Sequence, residues 1–140
     1  MFMANFYVVF DTNVLVSALL TTHPDSPTAT LLNMVLDETI IPLYNEDILS
    51  EYHEVLCRQK FGFSESQISR LIAAIRKGMC VERVHSDYDF PDPDDAVFYE
   101  VSLSKEESYL VTGNIKHFPP VAKVVLPAEL LAIILNKEQD

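Results

Sequence analysis

Four short segments hold the side chains that could do chemistry, and they are carboxylates with small polar neighbours: Asp11-Thr12-Asn13, Glu51, Asp92-Pro93-Asp94-Asp95 and Thr112-Gly113-Asn114. Asp11 follows Phe6 to Phe10, five apolar residues suited to a buried strand. An acid at the carboxyl end of such a strand stands where open α/β sheets bind their ligands. The same residues also read as a helix start, because Asp11 or Thr12 would cap a helix suggested by Val14, Leu15, Ala18 and Leu19.

Helical phase sorts the middle acids. In a helix capped by Asn45 the apolar face is Ile48, Leu49, Tyr52, Val55 and Leu56. Glu51 falls on the border of that face and could reach a cleft, whereas Glu54 points nearly opposite, toward Arg58 one turn on. A boundary glutamate in solvent is the plain alternative for Glu51. Asp92 can cap a helix, with Asp94 and Asp95 at the positive end of its macrodipole. Three acids in four residues also repel one another unless a cation or solvent screens them, so a cap alone and a cap with a metal site both fit. Phase places Asp94 nearest the face of Val97, Phe98 and Val101 and does not choose Asp95. Thr112-Gly113-Asn114 follows the apolar Tyr109-Leu110-Val111 and is either a glycine turn or the mirror of the first cluster. Parallel strands sharing one carboxyl edge would bring Asp11 and Asn114 to the same crevice.

The elements that must position these groups alternate between strand and helix, with no repeat and no low-complexity run. Ser26-Pro27 opens a helix through Leu36, and a strand follows at Thr39 to Tyr44, with Pro42 arguing against a central place for it. Asn45 caps a helix to about Arg58, and Ser64-Glu65-Ser66-Gln67 is a capping-box pattern whose helix ends at Lys77 and Gly78. Met79 to Val84 read as a strand, Asp92-Pro93 starts a helix to about Ser104, Tyr109 to Val111 and Ala122 to Leu126 read as strands, and Pro127 opens a closing helix. One α/β domain over residues 1–140 is the expectation.

The 140-residue chain is long enough to bury a core without staples. Cys57 and Cys80 are too few and too far apart for a disulfide framework or a metal knuckle; each is expected in the core, which suits a reducing cytoplasm. Met1 to Asn5 is too short for a leader, and no apolar run approaches the roughly 20 residues that span a bilayer. A soluble, cytoplasmic protein with no membrane partner is expected. The net charge of −11 argues at first against nucleic acid. Yet Arg58, Lys60, Arg70, Arg76, Lys77 and Arg83 fall in one stretch, read first as a solvated helical hairpin, and an acidic site that holds cations can still meet phosphate.

Taken in order, Val9-Phe10-Asp11-Thr12-Asn13-Val14-Leu15-Val16-Ser17-Ala18, Ile48-Leu49-Ser50-Glu51-Tyr52 with Glu54-Val55-Leu56, Asp92-Pro93-Asp94-Asp95, and Leu110-Val111-Thr112-Gly113-Asn114 resemble the PIN-domain family of small metal-dependent ribonucleases. The resemblance covers nearly the whole chain and is nearest to the toxin components of bacterial type II toxin-antitoxin pairs. It implies a three-layer α/β fold with a mostly parallel sheet of four to five strands flanked by helices. It also implies that Asp11, Glu51 and Asp95 hold the metal, Asp95 being the aspartate three residues before the large apolar Phe98. Asn114 departs from the pattern, which commonly has a fourth acid there; its neutral oxygen orients water or binds Mg²⁺ weakly and leaves a second metal position in doubt.

The implied chemistry is hydrolysis of RNA phosphodiesters with one or two ions of Mg²⁺ or Mn²⁺, which favour oxygen donors. Asp11, Glu51, Asp95 and Asn114 are the catalytic set, and Thr12, Asn13 and Thr112 the substrate-binding polar shell. His23, His53, His85 and His117 are expected to lie in loops or on an exposed helix side, without a metal role. An antitoxin protein and a homodimer are the implied partners, and the apolar segment Val14 to Leu20 serves such a contact or the core. Two other classes stay open: a catalytically weak or inactive PIN-fold binding module, and a phosphatase with Asp11 as an aspartyl-phosphate nucleophile, although Asn13 stands where that chemistry wants a second acid.

Overall fold

A computed structural model describes residues 5–139, with side chains through residue 137. The reading of Met1 to Asn5 lies, Asn5 apart, outside the described residues. The chain runs β1 (Phe6–Phe10), α1 (Thr12–Leu20), α2 (Pro27–Leu36), β2 (Ile40–Tyr44), α3 (Glu46–Leu56), α4 (Glu65–Arg76), β3 (Met79–Cys80), α5 (Ala96–Ser102), β4 (Ser108–Val111), β5 (Val124–Val125) and α6 (Pro127–Gln139). All strand pairs are parallel, and the order across the sheet is β3-β2-β1-β4-β5. The expected α/β fold is the one observed, with five strands.

This order carries the functional consequence. From β1 the chain winds outward to β2 and β3, then returns to lay β4 against the other side of β1, so the winding reverses between β1 and β4. Such a reversal opens a crevice at the carboxyl ends of the two strands. The register pairs Phe10 with Val111, so Asp11 and Thr112 emerge side by side at that crevice. Both strands are apolar and buried on both faces, as parallel strands covered by helices must be: Val8, Val9, Leu110 and Val111 have no exposure at all.

Local chemistry sets the helix starts. Ser26 accepts from the Ala29 amide and Asn45 from the Ile48 amide, while Ser64 and Gln67 form a reciprocal capping box. Asp11 occupies the cap position of α1 but makes no side-chain capping bond, which leaves its carboxylate for other partners.

Four expectations are corrected. Pro42 sits in an interior strand, between β1 and β3, because β3 is only two residues long and pairs with Leu43 and Tyr44; Gly78, not a ladder partner, lies against the proline. The Met79 to Val84 strand stops at Cys80: the Val81 amide still bonds the Tyr44 carbonyl, but the Val84 amide turns to the Glu100 carbonyl. Likewise Ala122 to Leu126 shortens to Val124–Val125. Cys57 and Cys80 are exposed, one just past the end of α3 and the other on the outermost strand.

A Cβ on Gly78 would lie 2.0 Å from the Pro42 carbonyl oxygen and 2.8 Å from its ring carbons. Gly78→Ala should therefore displace β3 from β2 and cost about 1–3 kcal/mol, read as a lower urea midpoint.

Candidate active site at the carboxyl edge of the sheet

Asp11, the first residue after β1, is buried at 9% exposure, and its Oδ2 accepts a 2.8 Å hydrogen bond from the Thr112 hydroxyl at the end of β4. Thr112 is wholly buried and also accepts from the Asn114 amide. One hydroxyl thus ties the two strand ends together. On the other side of Asp11, Thr12 donates to Glu51 Oε2 at 2.5 Å, which fixes the border glutamate of α3 toward the crevice. Glu54, as its phase requires, pairs with Arg58 in solvent.

Glu51 is aligned by its neighbour. The Tyr52 ring is buried, and its hydroxyl donates to the Phe10 carbonyl at 2.5 Å, so α3 is held against the last residue of β1. The far side of the ring meets Phe98 of α5, with centroids 6.2 Å apart. That contact brings the start of α5, and with it Asp95, toward the same edge.

The acidic cluster divides sharply. Asp92 caps the turn by accepting from the Asp94 amide, and both Asp92 and Asp94 are exposed. Asp95 has only 15% of its side chain exposed, and its Oδ2 has no hydrogen-bond partner among the described residues. Helical phase favoured Asp94 because it assumed α-geometry throughout. Pro93–Asp95 is a 3₁₀ turn, tighter than an α-helix, and α5 begins only at Ala96.

Burial and mutual repulsion set the protonation of the group. Desolvation raises the pKa of Asp11, against the lowering effects of Thr112, the Thr12 backbone and His117. Desolvation also raises Glu51, opposed by the Thr12 hydroxyl and reinforced by Asp11, Asp94 and Glu54. Asp95 is pushed from the ordinary 3.8 to about 6, chiefly by burial, then by Asp11 and Asp92, with His117 opposing. Asp11 raises both Glu51 and Asp95, and Glu51 raises Asp95, which places the three in one electrostatic neighbourhood.

His117 was not expected at the site. Its Nδ1 lies 3.3 Å from Asp95 Oδ2, off line for a hydrogen bond, and its Nε2 lies 2.9 Å from the Asn114 amide nitrogen. An amide donating to Nε2 leaves the proton of a neutral ring on Nδ1, on the side of Asp95 but not in line with its oxygen. No periodicity reaches this residue, because Ile115–His117 is a single 3₁₀ turn. The Asn114–His117 spacing of three was the one available signal. Asn114 itself is exposed and turned to His117, and Asn13 is exposed on the first turn of α1, so these two stand apart from the buried acids.

A family model for the PIN domain matches residues 7–116, well over half of the chain. The chain belongs to the PIN-domain family. Neither the curated proteins nor the solved structures gave a match. PIN domains are typically nucleases and usually use divalent metal ions. The donor set of this PIN domain fits such an ion: three oxygen-bearing carboxylates with raised pKa values, one holding a buried, partnerless oxygen. Among the described residues no three acidic, histidine or cysteine side chains close on one point. Mg²⁺ does not demand that they do, since it keeps several waters and takes one or two direct carboxylates.

The Asp95 shift gives a signed prediction for metal-free protein. Because its folded pKa of about 6 exceeds 3.8, protonation favours the fold; this stabilisation is complete below pH 3.8 and is lost as pH rises through 6. Asp95→Asn should then be more stable than wild type by about 1–2 kcal/mol at pH 7.5 in chelator, with the difference vanishing at pH 3.5, followed by thermal unfolding.

Proposed function

We propose that this PIN domain is a metal-dependent endoribonuclease that hydrolyses RNA phosphodiester bonds, and that it is the toxin of a toxin-antitoxin pair. The observation that carries the nuclease reading is the buried, partnerless oxygen of Asp95 beside two further carboxylates at the β1/β4 crevice of a PIN fold. In this reading Asp11, Glu51 and Asp95 hold one or two ions of Mg²⁺ or Mn²⁺. When bound, such an ion supplies an acidified water and neutralises charge on the phosphate.

The chain's own residues do the rest. Thr112 and Thr12 fix the carboxylate planes of Asp11 and Glu51 by donating to one oxygen of each. Asp95, least hydrogen-bonded of the three, is the acid best able to orient water. Asn114 and His117 face the nucleic-acid side, where the neutral amide takes the place of a fourth acid and reduces repulsion toward phosphate. Among the described residues, His117 is the basic side chain whose charge, when the ring carries it, lowers the pKa of both Asp11 and Asp95. Arg58, Arg76 and Arg83 are engaged with Glu54, Glu46 and Glu100 and do not serve the crevice. Recognition of the phosphate at the three acids thus depends on the ion.

The toxin role is supported by the sequence resemblance, and the partner would be a small antitoxin. Leu20 and Leu36, at 50% and 63% exposure on the ends of α1 and α2, are apolar surface such a partner or a second copy would cover.

Purified protein should cleave a mixed pool of structured and single-stranded RNA with Mg²⁺ or Mn²⁺ and lose cleavage in chelator. Asp11→Asn should reduce the rate by at least about a hundredfold. Retained cleavage in that variant would overturn the site assignment, and no cleavage with any metal would favour a binding module.

A further inference from the structure

Beside the acid site lies a second concavity, about 430 Å³ in volume and mostly apolar, formed by Tyr88, Ile115, Phe118, Pro119 and Val121 with Lys116 among them. Its wall is shared with the acid site. The turn Ile115–His117 presents His117 to Asp95 and sends Ile115 and Lys116 into the concavity. Ile115 and Val121 are each 42% exposed and Tyr88 is 36% exposed, so apolar side chains face solvent directly next to a highly polar centre.

The opposite wall is built with care. Residues 81–92 contain no helix or strand, yet Glu100, buried in α5, accepts from the Arg83 guanidinium at 2.7 Å and from the Ser86 amide at 2.9 Å, while its carbonyl accepts from Val84. Those bonds pin the strap two residues before Tyr88. Phe90 then braces the tyrosine edge-on at 4.8 Å and rests on Phe118 at 6.3 Å. An exposed aromatic ring braced by a second ring, itself seated on a third, is a stacking platform.

We propose that this concavity is a nucleobase subsite: it takes one unpaired base of the strand whose phosphate lies at Asp11, Glu51 and Asp95, with Tyr88 as the stacking surface and Lys116 meeting the adjoining phosphate. The inference rests on the nuclease reading and adds to it the place where a base of the strand is held; a base inside a duplex has no free face to stack. Charge supports this occupant. With a net charge of −11 the protein repels a polyanion at long range, so affinity has to come from short-range contacts, and stacking is one that salt does not screen. Continuity with the acid site and the one lysine in its wall distinguish this face from the apolar ends of α1 and α2.

The test is binding of short, labelled RNA by fluorescence anisotropy with Mn²⁺ replaced by Ca²⁺, whose looser coordination holds a phosphate without aligning water for attack, with the RNA checked intact on a gel. Wild type should bind the single strand at least about tenfold more tightly than the same strand annealed to its complement. Tyr88→Ala and Val121→Asp should each remove about tenfold of that affinity, and Tyr88→Phe should retain it. Both substituted positions are exposed, and circular dichroism checks the fold. Equal binding by wild type and Tyr88→Ala would overturn the subsite, as would a change of oligomeric state in Val121→Asp with unchanged RNA binding, which would make the face a protein contact. Because binding is read on uncut RNA, Tyr88-dependent binding without cleavage when Mn²⁺ is restored would defeat the nuclease reading and leave the base subsite standing. Cleavage with a KM indifferent to Tyr88 would do the reverse.

Discussion

The hydroxyl of Tyr52 on the carbonyl of Phe10 is the contact on which the rest of the site depends. Its ring lies between the end of β1 and the first turns of α5, and each of its contacts stands next to an acid: Asp11 follows Phe10, Glu51 precedes Tyr52, and Asp95 lies three residues before Phe98. Three carboxylates far apart in sequence are thereby gathered by apolar packing, which does not depend on their charge. Burial holds the tyrosine hydroxyl protonated by pushing its pKa well up, so it remains a donor at any ordinary pH.

Gathering acids has a cost that the structure displays openly. Desolvation raises all three, and only Asp11 and Glu51 receive compensating hydroxyl donors. Asp95 receives none and is raised to about 6. Natural folds tolerate such groups where the local loss serves a task, and a cluster of raised carboxylates in a cleft is a mark of such a place. Glu100 supplies the contrast within the same helix: it too is buried, but with Arg83 and the Ser86 amide as partners its pKa is lowered, and it organises a loop instead of a site.

Much of this was legible in the sequence because the signals were local. The Phe6–Phe10 strand, the Asn45 and Ser26 caps, the capping box at Ser64 and the border position of Glu51 each follow from side chains within one or two turns. The resemblance to PIN domains supplied Asp95 where phase could not, since a 3₁₀ turn breaks the 100° rule at that point. What stayed hidden was non-local. The strap after Cys80 looks like a strand from its composition, and only the distant Glu100 explains why it leaves the sheet. Exposure of the two cysteines depends on where α3 ends and on how little lies beyond β3. His117 reaches Asp95 through a turn whose direction no residue type announces.

Calorimetric titration of the intact, chelator-treated protein with Mn²⁺, beside Asp95→Asn, tests the central claim most directly. Wild type should bind, and the variant should bind at least about tenfold more weakly, with both proteins folded. Equal affinity in the two, or no binding by folded wild type, would contradict it.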